Sequence, residues 1–474
     1  MGARLLLLAL LLAVITTPWP LLAAEPGDEL EEILRGFEDE TVVGETTPAT
    51  PSASVPRRWW DLGGSLSLAS SVNYLQHRSA TGTDYTGLQK LRARLNLQLD
   101  LDLARKWKAR FAGYGFYDFA YLMNGRDEYT DDVVDEYEWE ADFHEFYVQG
   151  RLAESLDLKV GRQVVDWGRS ETLRVLDVLN PLDEREPGLA DIEDLRLPVA
   201  MMRLDYYAGD WALTALAIPE MRFDKLPPVG SDFNPLAEPI PERPPTTSPE
   251  NIEWAARAMG IFHGWDLSFQ LARYWADRPY TSEPTADHPA GVMKHSRLSL
   301  VGAGGNYTLG SWLLKGEVAY VDGSDYTVGT TTIDTGRGRF PLAEGTVEKS
   351  RVDAMGGIEY YGVAETTMAL EVVDRHINDY EPRMRLFDAR EDELETALRI
   401  SADFMNARLH ATALGVVFGE RAQDGSAVRL SADYELRDAV LIGGGVLLFQ
   451  DGDPLEFREI DDNDRIFLQA EYSF

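Results

Sequence analysis

The stretch Leu88–Ala104, LQKLRARLNLQLDLDLA, decides the fold of this chain. Its apolar residues fall on every second position, namely Leu91, Ala93, Leu95, Leu97, Leu99, Leu101 and Leu103. The positions between them carry Arg92, Arg94, Asn96, Gln98, Asp100 and Asp102. A period of two is typical of a β-strand with one apolar and one polar face. Because a strand that crosses a bilayer needs about 9–11 such residues, the stretch predicts one strand of a transmembrane barrel.

The same pattern recurs along the chain. Alternating segments fall near residues 62–76, 88–104, 106–123, 137–152, 155–168, 197–208, 210–221, 253–262, 264–275, 294–308, 311–322, 349–362, 364–376, 393–406, 408–419, 426–436, 438–450 and 464–474. Short turns, for example at Arg105, Gly209 and His263, alternate with long polar segments. This layout predicts an all-β fold, a transmembrane antiparallel up-and-down β-barrel with short periplasmic turns and long extracellular loops. We expect about 18 strands, with 16 as the alternative, because boundaries read from a pattern err by about 2–4 residues.

The composition excludes some classes of function. The chain has 474 residues, no cysteine and a formal net charge of −35. Such acidity argues against nucleic acid as a partner, because phosphate contacts require Lys and Arg. A mean hydropathy of −0.26 suits both a secreted enzyme and a barrel, since half of each barrel strand faces water.

The N-terminal region divides into two predicted parts. Residues 1–24 have an early Arg4, an apolar run and Ala23–Ala24, which is the pattern of a secretory signal peptide. In residues 25–57, a short amphipathic helix is predicted at Asp28–Phe37, followed by a Thr- and Pro-rich linker. The helix is a candidate contact for a periplasmic partner or for the barrel mouth, and a loose tail is the alternative. The barrel itself is predicted for residues 58–474.

The last segment, NDRIFLQAEYSF, places Ile466, Leu468, Ala470 and Tyr472 on one face and ends on the aromatic Phe474. It resembles the C-terminal signature through which outer-membrane barrels are recognised by the barrel assembly machinery. The expected location is therefore the cell outer membrane of a Gram-negative cell. Its lipid and lipopolysaccharide are the expected surroundings.

The polar faces of the strands predict the lining of the lumen. Around the first short turn, antiparallel pairing places Asp102 opposite Lys108 and Asp100 opposite Arg110. Higher up, a basic ladder is formed by Lys90, Arg92 and Arg94, and an acidic ladder by Glu138, Glu140 and Asp142. Facing ladders would set a transverse field across a water-filled pore, and ion pairs that fill the lumen are the alternative.

The alternation fails at Leu156–Gly168, where it would place Arg162 and Asp166 in lipid. This strand is either bulged or rises above the membrane, and the preceding strand slips phase at His144–Glu145. The loop 169–196 that follows is too apolar to lie in water, so we predict that it folds into the barrel and constricts it. The candidate pore-lining residues are Arg92, Arg94, Arg110, Glu138, Glu140, Asp142, His144, Glu145, Arg162, Gln163, Asp166, Trp167, Arg169, Arg174, Asn180 and Asp183.

The segments GRQVVDWG (161–168), NPLD (180–183) and LPVAMM (197–202) carry a resemblance to a known family. They resemble the hallmark region of large Gram-negative outer-membrane proteins catalogued as a domain of unknown function. DELEEILRGFED near the N-terminus and GSDF (230–233) fit the same pattern. More distantly, the layout is similar to the alginate-export porins, which are 18-stranded barrels. The resemblance implies the fold and the location and says little about cargo.

Motifs for enzymatic chemistry are missing from the sequence. The seven histidines form no HExxH or other metal spacing, and no G-x-S-x-G occurs. We therefore predict no enzyme, no metal and no cofactor, with His144 beside Glu145 as the candidate if the barrel is a hydrolase. The favoured function is a porin-like channel that moves polar or amphipathic small solutes. The alternative is an export or lipid-handling barrel that works with periplasmic partners.

Overall fold

The computed structural model describes residues 58–103, 106–285, 287–288, 291–334, 339–458 and 460–474. Within these residues, eighteen strands join in one closed antiparallel sheet. The predicted signal peptide 1–24, the helix at Asp28–Phe37 and the turn residue Arg105 lie outside the described residues.

The strands follow one another around the barrel in chain order. β1 also pairs with β18, from Ser65 opposite Ser473 to Asn73 opposite Arg465, and this pairing closes the sheet. The count of 18 strands is confirmed, and the alternative of 16 is wrong. The bounds are β1 Trp60–Asn73, β2 Gly87–Asp102, β3 Trp107–Asp118, β4 Trp139–Ala153, β5 Leu156–Gln163, β6 Val199–Ala208, β7 Trp211–Ile218, β8 Glu253–Phe262, β9 Trp265–Trp275, β10 Arg297–Leu309, β11 Trp312–Val328, β12 Gly345–Val363, β13 Thr366–Ile377, β14 Asp392–Phe404, β15 Leu409–Phe418, β16 Ser426–Arg437, β17 Val440–Gln450 and β18 Arg465–Ser473.

The loops carry short elements. The helices are α1 Ala120–Asn124, α2 Asp131–Tyr137 and α3 Ile192–Leu195. Four 3-10 turns lie at Arg126–Glu128, Pro382–Phe387, Leu455–Phe457 and Ile460–Asn463, and two ribbons pair Tyr280–Thr281 with Met293–Lys294 and Thr332–Asp334 with Arg339–Pro341. None of the helices in the described part of the chain is long and apolar enough to cross a membrane.

Burial in this barrel is the reverse of burial in a soluble protein. Outward-facing Leu468 and Val301 are 60% and 57% exposed, whereas inward-facing Glu359 and Glu371 are 1% and 2% exposed. In water, so large an apolar outer surface would make the protein aggregate. In a bilayer the arrangement is the stable one, because an Arg on the lipid face costs about 2–4 kcal/mol at the midplane. The chain is a membrane-spanning β-barrel.

Two predicted strands, β3 and β5, end five residues earlier than the alternation suggested. β3 stops at Asp118 rather than at residue 123, because the Asp118 carboxylate accepts hydrogen bonds from the amides of Leu91 and Ala120 at 2.9 and 3.1 Å. The chain then turns into α1, where Tyr121 is buried. β5 stops at Gln163 rather than at residue 168.

The predicted phase slip in β4 is confirmed. Ala112 pairs with Glu145 and Gly113 pairs with Phe143, which leaves His144 as the extra residue of a β-bulge. Arg162, near the end of β5, pairs with Asp142 at 3.1 Å and with Glu220, which lies beyond the end of β7. It thus binds two carboxylates at the long-loop end of the wall.

Candidate functional site

The segment 164–198 between β5 and β6, here called the lumen loop, lies against inward-facing side chains of the barrel. Its first part, lobe A (164–180), contributes apolar side chains to the main buried cluster, which are Val165, Trp167, Leu173, Val175, Leu176 and Leu179. The wall contributes inward residues from β6 through β14, for example Met201, Val321 and Ala397. Burying this apolar surface is what holds lobe A in place.

Two wall carboxylates anchor the backbone of lobe A. Glu317 of β11 accepts hydrogen bonds from the amides of Leu176, at 3.1 Å, and of Arg169. Glu371 of β13 accepts from the amides of Glu171 and Thr172 at 3.0 and 3.2 Å, and from the Ser170 hydroxyl at 2.5 Å. Buried amides away from regular structure need such partners. The sequence analysis missed both glutamates, because each occupies an ordinary inward position of its strand.

A pair of glycines on β10 makes room for lobe A. A Cβ on Gly302 would lie 2.3 Å from Cδ2 of Leu176, and a Cβ on Gly304 would lie 3.0 Å from its Cδ1. Leu176 is fully buried in the space that these glycines leave. The loop can therefore approach the wall this closely because Gly302 and Gly304 have no side chains.

The second part, lobe B (181–198), is bound mainly by charge. Glu186 pairs with Arg92 at 3.1 Å and with Lys90, both on β2. Asp191 pairs with Arg399 of β14 at 3.4 Å and with Arg429 of β16. Burial alone would raise the pKa of Glu186, but Arg92 and Lys90 outweigh it and hold that pKa at about 2.

A second inward segment, the mouth loop (219–252) between β7 and β8, escaped the sequence analysis although its GSDF motif was noted. The Asp232 carboxylate accepts from Arg465 of β18 at 2.9 Å, and its carbonyl accepts from Asn463 at 2.6 Å. The ring of Phe233 packs against Phe449 of β17. The segment therefore reaches strands on a distant part of the wall, a pairing for which the sequence holds no local signal.

The mouth loop and lobe B are joined. Asp183 forms a parallel bridge with Lys225, the Lys225 amide donates to the Leu182 carbonyl at 2.9 Å, and the Glu184 amide donates to the Lys225 carbonyl at 2.9 Å. Asp224 accepts from the Leu182 amide at 2.7 Å. Burial, reinforced by the charge of Glu184, raises the pKa of Asp224 to about 6.

The two predicted ladders do not pair with each other, because they lie on β2 and β4 on the same side of the barrel. Each acidic residue binds at least one residue from a loop instead, and Asp142 also binds Arg162 of β5. Glu138 pairs with Arg126, Glu140 with Arg185 and Lys225, and Asp142 with Arg162 and Arg222. A field set by facing ladders is thus not the arrangement found here.

Other predicted residues lie nearer the short turns. Arg110 pairs with Asp100 at 2.8 Å and with Glu145 at 3.3 Å, and the predicted register of Asp100 opposite Arg110 is confirmed. Arg94 stacks over the Tyr114 ring at 4.0 Å and donates to Asn96 at 2.9 Å. His144 meets the edge of the same tyrosine ring, at 6.5 Å between centroids.

The remaining predicted residues gather at the base of the lumen loop. Asn180 accepts from the Val165 amide at 2.8 Å and donates to the Leu197 carbonyl at 2.8 Å, which ties the start of the loop to its end. The other contacts are Gln163 with the Met201 carbonyl, Asp166 with Arg196, the Trp167 carbonyl with Gln270, Arg169 with Asp266, Arg174 with the Asn180 carbonyl, and Asp183 with Arg185. In the described part of the chain, no group of three His, Asp or Glu residues is placed to hold a metal ion.

Comparison with known proteins gives one family match and several similar folds. A family model described as "Protein of unknown function (DUF1302)" matches residues 70–474. No curated protein matches the chain. Similar solved structures include OccAB1 of Acinetobacter baumannii, at 10% identity and a TM-score of 0.49, over 88% of this chain and 96% of that one. Another is OpdK of Pseudomonas aeruginosa with vanillate, at 11% identity and a TM-score of 0.46, over 87% and 98%.

Proposed function

This chain belongs to the DUF1302 family, and we propose that it forms a porin-like channel that moves polar or amphipathic small solutes across the outer membrane. In this proposal the lumen loop is the constriction. Lobe A narrows the lumen along β6 to β14, and lobe B narrows it along β2 and β14 to β16.

The observation that carries the proposal is a charged inner wall that the lumen loop does not fill. Nearer the short turns, the side chains of Asp100 and Arg110 remain 38% and 33% exposed inside the closed sheet. Water reaches these groups, and they carry charges of both signs. Such a lining suits the passage of hydrated polar solutes rather than of lipid.

The loop contacts favour a selective constriction rather than a plug that blocks the lumen permanently. Lobe A packs on one side of the wall through apolar groups, and lobe B binds the other side through ion pairs. A passage bordered by the two lobes would present charged groups at its narrowest part. Solutes would then be sorted by size and by polar contacts.

The test is conductance in planar bilayers. The purified protein should give stable single-channel conductance, and deletion of Glu171–Asp191 should enlarge it, because the deletion removes most of both lobes. A boiled sample of the same preparation controls for detergent leakage. If neither protein conducts, the channel is refuted. If both conduct equally, the channel stands and the lumen loop is not its constriction.

Two predicted partners remain proposals of the same account. Phe474 is exposed, and its backbone pairs with Gly64 at the end of the β1–β18 seam, where an assembly factor could reach it. The periplasmic partner was assigned to Asp28–Phe37, which lies outside the described residues. Co-purification of a periplasmic protein that is lost on deleting that helix would favour the export or lipid-handling alternative.

A further inference from the structure

The two lobes of the lumen loop are held by different forces. Every residue that the loop contributes to the main apolar cluster comes from lobe A, among the described residues. In the central part of lobe B, residues 186–191, Leu189 packs beside Leu447 and Phe449 of β17. The other attachments of that part are the ion pairs of Glu186 and Asp191 and a bond from Arg429 to the Gly188 carbonyl at 3.5 Å. Arg185, just before it, is largely buried and binds Glu140 of β4 at 2.7 Å, and its carbonyl accepts from the Tyr137 hydroxyl at 2.7 Å.

Water reaches the ion pairs of lobe B in part, from the side of the loop carboxylates. Glu186 and Asp191 are 27% and 30% exposed, although their partners Arg92 and Arg429 are largely buried. Ion pairs that water reaches are weakened by salt, whereas buried apolar contacts are not screened. Lobe B therefore detaches from the wall more readily than lobe A.

The backbone between the two ion-pair contacts suits a hinge. Pro187 and Gly188 lie between Glu186 and Asp191, and Gly188 has a φ of 77°, a conformation that other residues rarely adopt. Gly188 also lies so close to the wall that an added Cβ would be 3.0 Å from Leu447. The segment therefore packs against the inner side of β17 and is not one of the strands of the sheet.

We propose that lobe B is a latch that opens while lobe A stays in place. The latch has two closures. One is the contact of Glu186 with β2, and the other is the contact of Asp191 with β14 and β16. When both closures break, residues 186–191 leave the wall while Arg185 stays bound, and the passage beside lobe A widens. This inference rests on the proposed channel function and adds a closed and an open state to it.

Because the chain has no native cysteine, the latch can be bridged chemically at one closure. In the double variant Asp191→Cys/Arg429→Cys the Asp191 closure is lost, so opening requires only that the Glu186 closure breaks. The open state should then be more frequent, and we expect a higher mean conductance. A short bis-methanethiosulfonate reagent should bridge the two thiols and remove the increase, and a reductant should restore it. The bridged and reduced states come from one folded preparation, so a folding defect cannot produce the difference.

A variant that removes the two charges tests the same latch without a cross-linking reagent. Glu186→Gln/Asp191→Asn should raise the conductance and weaken its dependence on salt. The matched control is Glu171→Gln in lobe A, which also loses an ion pair, to Lys315 at 3.3 Å, but keeps its apolar anchors. Because Glu171 borders the constriction, the conductance of this control should change, but by less than that of Glu186→Gln/Asp191→Asn.

The outcomes separate the latch from the channel. Equal conductance of the bridged and reduced double variant overturns the latch and leaves the channel intact. An increase in Glu171→Gln as large as that in Glu186→Gln/Asp191→Asn also overturns it, because lobe A would then be as loosely held as lobe B. Absence of conductance in every form refutes the proposed function, and the latch with it.

Discussion

The substitution Glu371→Ala tests whether a wall carboxylate holds the lumen loop inside the barrel. The Glu371 side chain is 2% exposed and accepts hydrogen bonds from Glu171, Thr172 and Ser170 of lobe A. Removing it takes this acceptor from two backbone amides and one hydroxyl, in a place that water reaches poorly, although the Thr172 amide keeps the Ser170 hydroxyl at 3.2 Å. We expect the barrel to form and lobe A to open locally more often.

The size of the effect follows from these three bonds. A hydrogen bond to a charged acceptor contributes about 1.5–3 kcal/mol to stability. Because the three bonds share one acceptor and are not additive, we expect the free energy of opening lobe A to fall by about 3–4 kcal/mol. Since each 1.4 kcal/mol is a factor of ten, the amides of Glu171 and Thr172 should exchange about 140–700 times faster.

Hydrogen exchange read by mass spectrometry on peptides covering residues 168–176 measures this change. The matched control is Glu435→Ala, which removes an exposed carboxylate near the short-turn end of β16 that bonds to no loop residue in the described part of the chain. Unchanged exchange in lobe A of a folded Glu371→Ala barrel would refute the anchoring role of this carboxylate.

Further predictions address the lipid face, the loop junction and the loop seat. Leu468→Arg should lower the free energy of barrel folding in bilayers by about 2–4 kcal/mol, measured by urea titration, whereas Gln469→Arg on the lumen face should lower it little. Because the pKa of Asp224 is raised from 3.8 to about 6, its protonated form stabilises the loop junction, fully below pH 3.8 and progressively less as the pH rises through 6. Protection of the Leu182 amide, corrected for intrinsic exchange, should therefore fall between pH 4 and about 7, and Asp224→Asn should abolish the fall. Gly302→Val should displace lobe A from β10 and raise the conductance of the channel. A conductance equal to that of the unmodified protein would contradict the role of Gly302 in making room for lobe A.

The strands were predictable because a period of two is imposed by the bilayer at each strand separately. Between Leu91 and Leu103, the polarity of each residue alone indicates whether its side chain faces lipid or the lumen. The bulge at His144 was visible for the same reason, as a break in local phase. The early end of β3 was not, because the aromatic alternation continues past Asp118 and only the contact of Asp118 with β2 reveals the turn into α1.

The site was predictable in part. The apolar content of residues 169–196 indicated that they avoid water, but not which wall they bind. That choice depends on pairs far apart in sequence, such as Glu371 with Ser170 and Arg429 with Asp191. The carboxylates of such pairs look like any other lumen residue in their strands. The charges of the predicted ladders were identified correctly, but their partners come from loops rather than from each other.

The central claim is that apolar residues face lipid and charged residues face an enclosed aqueous lumen. Single cysteines at Leu468, Gln469, Ala470 and Glu471 of β18, each carrying a nitroxide in a reconstituted bilayer, test it most directly. We predict collisions with oxygen at 468 and 470, and collisions with a water-soluble nickel chelate at 469 and 471, in strict alternation. A uniform response along β18, or the opposite alternation, would contradict the account.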